Sequence, residues 1–284
     1  FIALRIVSFP VAAGATFFLA LATPNMFYSA SAFAEPLGQL FMLTGLFLFL
    51  RGENARRQWM LFSAAGFSIG LTLFVQPVLA GIMVPFVIHF SRENNWHIWQ
   101  SVEARALIGG FMLPFLAYML KGVFLTGEYF PFLFGFPYSP YNPLSYRSPG
   151  EAPHIALGIW EMLLGSPHGL AALMPVIILV PPGFIAMWRG GCSLLAAISG
   201  FMIILVIAFA AYSISPISGE GLGARQLIPI MPLLILPLAF LWEEGNGERI
   251  WLATLAACTV YMGGLSWAGG PGPLAEKLLD REAR

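Results

Sequence analysis

An all-α, polytopic transmembrane bundle of about nine membrane segments is the fold this sequence predicts, from its composition, the spacing of its apolar runs and the uneven placement of its basic residues. Hydrophobic residues make up 58% of the 284 and charged residues 10%, whereas soluble domains average roughly 25% charged. A soluble fold of this length has too little interior for so much apolar surface, but hydrocarbon accepts it. The mean hydropathy of +0.78 points the same way.

Apolar runs bounded by charges, Pro and Gly clusters fall at about 6–22, 33–50, 58–75, 77–90, 106–124, 169–188, 192–213, 226–243 and 250–267. Only Gln76-Pro77 separates the third from the fourth. Two helices are expected there, because a single one would be nearly 50 Å long, well beyond the hydrocarbon thickness. The chain then reads as one helical domain over 1–268, with a long connection at about 125–168, followed by a polar tail at 269–284. It opens on Phe1 without a signal-peptide pattern, so it is expected to start within a larger protein.

Orientation follows from the basic residues, since Lys- and Arg-rich loops stay cytoplasmic. Arg5, Arg51, Arg56, Arg57, Arg92, Arg105, Arg189 and Arg249 fall on one side, and Lys121, Arg147 and Arg225 on the other, with Lys277, Arg281 and Arg284 added by the tail. The side carrying 51-RGENARR-57 is therefore expected inside, and the 125–168 loop outside. That loop, with 127-GEYFPFLFGFPYSPYNPLSYRSPGEAPH-154, is too aromatic for a disordered linker and is the largest candidate binding surface.

Fourteen basic and 14 acidic residues balance to zero, which argues against a nucleic-acid footprint and against a polybasic lipid-binding surface. Cys192 and Cys258 lie in apolar runs and read as small buried residues. P-loop, Rossmann, nucleophile-elbow and zincin patterns are absent, as are a charge at the middle of a run and an internal repeat.

Polar residues of interest therefore concentrate outside. Glu35, just before Pro36, suits either a site carboxylate or a helix-start residue stabilised by the helix dipole. Arg225, in 219-GEGLGARQLIPIMP-232, suits either a phosphate held at a helix start or an Arg reaching the interface. Gln76 could bind a ligand or cap its own turn. Tyr138 and Tyr141 offer rings that suit sugar faces and interfacial anchoring alike. Arg147 and His168 are titratable groups of the long loop, and His154 and His168 lack a zinc-site spacing. Lys121 is expected to snorkel, and Glu243, Glu244 and Glu248 to form a solvated turn without a role.

Four stretches, in order, resemble the GT-C superfamily of polytopic membrane glycosyltransferases, in particular protein O-mannosyltransferase-like and lipid A aminoarabinose transferase-like members. They are 21-LATPNMFYSASAFAEPLGQLFMLTGLFLFLR-51, 65-AGFSIGLTLFVQPVLAGIMVP-85, 165-GSPHGLAALMPVIIL-179 and 223-GARQLIPIMPLLILPLAFL-241. The resemblance implies transfer of a sugar from a polyprenyl-phosphate donor to a lipid, glycan or protein acceptor at the extracytoplasmic face of a bacterial inner membrane. By the same resemblance Glu35 is a site carboxylate and Arg225 holds the donor phosphate; Gln76, Tyr138, Tyr141, Arg147 and His168 are expected to contact substrate. The family's catalytic Asp loop would precede Phe1, which leaves the general base unassigned, and a divalent metal stays open as a cofactor. Two other classes are compatible with the composition: a transporter or lipid flippase, which needs polar groups near the midplane, and a noncatalytic subunit that binds a polyprenyl carrier.

Overall fold

The computed structural model describes residues 7–21, 35–53, 55–94, 96–126, 159–160, 163–164, 170–212, 225–244, 257 and 260–261. All regular structure among them is helical. The helices are α1 (Phe9–Leu21), α2 (Glu35–Gly52), α3 (Gln58–Leu71), α4 (Met83–Glu93), α5 (Val102–Thr126), α6 (Leu170–Leu173), α7 (Val180–Arg189), α8 (Ser193–Tyr212) and α9 (Met231–Glu244). They fall within a few residues of eight of the nine expected runs; most of the ninth, 250–267, lies outside the described residues. Two compact units emerge, one from 1–36 with 154–284 and one from 37–153.

Two stretches, Val102–Phe124 and Ser193–Ala210, are helices long and apolar enough to cross a membrane, and shorter apolar helices cover Phe9–Ala20, Gln58–Phe74, Val176–Arg189 and Leu227–Glu243. Several of the shorter ones gain length from 3-10 turns, which rise about 2.0 Å per residue against 1.5 Å in an α-helix. Turns at Pro77–Ile82, Pro175–Leu179 and Arg225–Ile230 lead directly into α4, α7 and α9. With its turn, α4 extends about 28 Å and α9 about 33 Å, close to the hydrocarbon thickness.

Proline explains this shared form. Pro85, Pro181, Pro182 and Pro232 sit in the first turn of the following α-helix. Lacking an N–H, each leaves the carbonyl four residues earlier without its α-helical donor, so the preceding stretch closes i to i+3 instead.

Contacts in the 37–153 unit establish its direction changes. Antiparallel packing of α2 and α3 brings Gly38 to Val75, Gly45 to Ile69 and Gly52 to Phe62. Phe90 of α4 packs edge-on to Phe62 of α3, and Phe86 stacks on Phe49 of α2 at 3.9 Å. The chain therefore reverses at Gln76-Pro77, as the two-helix reading expects. Helices α3 and α5 run in the same sense, with Gly66 against Leu107, Gly70 against Pro114 and Leu73 in a cluster with Tyr118. Side chains would keep these backbones apart: a Cβ on Gly66 would overlap the Leu107 carbonyl, and one on Gly110 the Ser63 carbonyl. Gly66 and Gly70 form the small-xxx-small pattern that permits such close approach.

In the other unit, Gly183 of α7 lies against the Pro237 backbone of α9, and a Cβ there would meet its carbonyl. Helix α1 meets the last turn of α9 twice. Glu243 Oε2 accepts from Ser8 N at 3.1 Å and from Ser8 Oγ at 2.8 Å, and Phe18 packs against Trp242 with ring centroids 6.3 Å apart. Glu243 thus ties down the start of α1, which corrects the expectation of a residue without a role. Its carboxylate and the helix start attract each other, and Glu243→Ala is expected to cost about 1 kcal/mol, seen as a lower thermal midpoint in detergent.

Cys192 also departs from expectation, lying half-buried in the turn between α7 and α8 instead of within an apolar helix. Burial pushes its thiol up from the ordinary value. Only the thiolate attacks alkylating reagents, so a raised pKa lowers the reactive fraction at neutral pH. In a Cys258→Ser background, iodoacetamide labelling of Cys192 is expected to be slower than that of a free thiol at pH 7 and to climb at higher pH than the free thiol does. Equal rates and equal pH profiles would contradict the burial.

Candidate functional site

The polar groups of the 37–153 unit divide between its two ends. At one end the last turn of α2, the start of α3 and the end of α4 meet: His89 Nε2 is 3.7 Å from Glu53 and 3.3 Å from Glu93. Arg51, Arg56, Arg57, Arg92 and Arg105 all belong to this end. The opposite end holds the start of α2, the Gln76-Pro77 reversal and the last turns of α5, where Lys121 Nζ lies 5.8 Å from the centre of the Phe74 ring.

Glu35 is the first residue of α2 and only 9% exposed. Pro36 follows it at the position where a missing N–H does no harm, and an acidic residue in this first turn is favoured by the helix dipole. Gln39, one turn further on, is buried as well. Residues four apart share a helix face, so α2 opens with a carboxylate and a carboxamide side by side on a buried stripe. Gln39 did not stand out in the sequence, and its i, i+4 spacing from Glu35 within an apolar run was the available signal.

Gln76 is half-buried and has an extended backbone, φ −148° and ψ 94°. Its main chain closes the reversal, with N donating to Thr72 O at 2.7 Å and O accepting from Leu79 N at 3.0 Å. The side chain makes no capping hydrogen bond to the turn that follows, which corrects the reading of Gln76 as a self-capping residue. Because Gly38 packs against Val75 and Leu79, the start of α2 and this reversal occupy the same end.

Other polar side chains along these helices bond to backbone carbonyls. Ser68 Oγ donates to Phe41 O at 2.9 Å, and Thr72 Oγ1 to Ile69 O at 2.6 Å. Lys121 does more than snorkel. Its ammonium lies over Phe74, which in turn packs edge-on to Tyr118 at 5.6 Å, an arrangement that attracts a cation to the ring face.

Arg225 opens the 3-10 turn Arg225–Ile230 ahead of α9, in the unit formed by 1–36 with 154–284. Its backbone therefore stands at a helix start, where exposed N–H groups favour an anion. Its side chain lies outside the described residues, as do Tyr138, Tyr141, Arg147, His168 and nearly all of the 125–168 loop. Among the described residues no group of three or more His, Cys, Asp or Glu could hold a metal ion.

No protein-family model, curated protein or solved structure matches this chain.

Proposed function

We propose that this chain is the membrane-embedded part of a GT-C-type glycosyltransferase, which moves a sugar from a polyprenyl-phosphate donor to an acceptor at the extracytoplasmic face. The observation that carries the reading is a carboxylate, Glu35, buried at the start of an apolar helix, at the end away from the arginines. Carboxylates inside apolar surroundings are rare and costly, and they concentrate at working sites. The four family-like stretches and the expected sidedness agree with it.

The chemistry requires three things of the protein: a base for the acceptor hydroxyl, cationic or hydrogen-bond donors for the departing lipid phosphate, and surfaces that hold the sugar. In this reading Arg225 serves the phosphate, since a guanidinium at a helix start adds a planar fork of donors to the helix dipole. Glu35 acts as a carboxylate of the sugar and acceptor site, with Gln39 beside it and Gln76 as a hydrogen-bonding group at the same end. Tyr138, Tyr141, Arg147 and His168 complete the substrate contacts. In this reading the general base is left unassigned.

The test is transfer of radiolabel from a panel of polyprenyl-phosphate sugars in membranes containing the full-length protein, with varied lipid, glycan and protein acceptors. Transfer from one donor supports the reading. No transfer from any donor by well-folded protein would overturn it in favour of carrier binding or transport.

A further inference from the structure

We infer that the arginine-bearing end of the 37–153 unit is a binding surface for anionic phospholipid headgroups. A net charge of zero hides this surface because it averages over the whole chain, whereas the fold gathers Arg51, Arg56, Arg57, Arg92 and Arg105 at one end.

Each acidic residue of this end has a polar neighbour within the protein. Glu53 and Glu93 flank His89, and Glu103 accepts from Ser101 Oγ at 2.9 Å. The arginines differ. All five are exposed, and although Arg105 Nε donates to Ser101 O at 3.3 Å, the guanidinium groups of Arg51, Arg56, Arg57 and Arg92 make no hydrogen bond or ion pair with any described residue. Four guanidinium forks thus face outward without an acidic partner among those residues, and a phosphodiester matches their geometry.

Tryptophans mark the depth at which these arginines sit. Trp59, Trp96 and Trp99 are 52%, 72% and 67% exposed, and all three belong to the same end, at the start of α3 and between α4 and α5. Exposed indoles beside arginines suit the headgroup level of a bilayer, where the ring rests against acyl chains and its N–H reaches water. Trp96 also holds a φ of 69°, a left-handed backbone that a bulky residue adopts only at a cost. Strain combined with an indole displayed to solvent is accounted for if the ring seats in an interface.

The inference assumes that the chain is embedded in a membrane, and its test separates the two ideas. The full chain is incorporated into nanodiscs of equimolar phosphatidylcholine and phosphatidylglycerol, extracted gently, and its retained lipids are counted by native mass spectrometry. Preferential retention of phosphatidylglycerol is expected, weakening in high salt. Arg56→Gln is expected to lower the preference about fivefold, and Arg56→Gln with Arg57→Gln roughly 25-fold, while Lys121→Gln at the other end leaves it unchanged. Equal retention of the two lipids by incorporated wild-type protein would overturn this inference alone. Failure of the chain to enter nanodiscs, or its release from membranes by alkaline carbonate, would overturn both. The wild-type comparison needs no variant to fold.

Discussion

Gly109→Ala and Gly110→Ala, one residue apart on α5, are expected to move stability in opposite directions. A Cβ on Gly109 meets nothing within 4 Å, and Ala loses less chain entropy than Gly on entering a helix, so this change is expected to stabilise by about 0.5–1 kcal/mol. The same Cβ on Gly110 would overlap the Ser63 carbonyl on α3. Backbone cannot step aside as a flexible side chain can, so α3 and α5 must separate along the seam that also holds Gly66 and Gly70. A loss of about 3 kcal/mol or more is expected for Gly110→Ala, and Gly66→Leu is expected to abolish folding of this unit. Thermal midpoints in detergent check the pair. Similar shifts for Gly109→Ala and Gly110→Ala would show that the two helices do not touch there.

Glu35→Gln and Arg225→Ala carry the largest expected effects on activity. Gln keeps the volume of Glu35 and one acceptor oxygen, but it replaces the other oxygen with an NH2 donor and removes the negative charge. If the carboxylate acts in transfer, the rate is expected to fall by roughly 100-fold or more with folding intact. If Arg225 opposes the leaving phosphate, as proposed, its removal is expected to cost about 100- to 1,000-fold by comparison with a lost oxyanion donor. Arg225→Lys is expected to recover only part of the loss, because an ammonium has no planar fork. The measurement is initial transfer rate in membranes at matched protein levels. Unchanged rates in Glu35→Gln would return Glu35 to the role of a helix-start residue.

How much of this was legible in the sequence depends on the interaction involved. Helix positions followed from apolar run length, and the Gln76-Pro77 reversal from the hydrocarbon thickness, because both are local or set by the solvent. The Pro-led 3-10 turns were less visible, since hydropathy does not distinguish helix types. Pairings between distant residues were hidden. Nothing near Glu243 or Ser8 in the sequence reveals that one bonds the other, and Gln39 acquires interest only from the burial of Glu35. Net charge hid the placement of the arginines for a physical reason: the fold segregates what the composition averages. The aromatic loop containing Tyr138, Tyr141 and Arg147 lies outside the described residues, so its part in the site rests on the resemblance.

Sidedness is the claim from which the rest descends: the arginine and tryptophan end inside, the Glu35 and Gln76 end outside, with hydrocarbon between. It is tested most directly by a membrane-impermeant maleimide on sealed cells and inverted vesicles, using single cysteines in a Cys192→Ser, Cys258→Ser background. Arg56 and the 83%-exposed Phe124 report on the two ends. Labelling of Phe124→Cys only from outside and of Arg56→Cys only from inside is the expected result. Labelling of both from the same side, or of both in a protein that alkaline carbonate removes from the membrane, would contradict it.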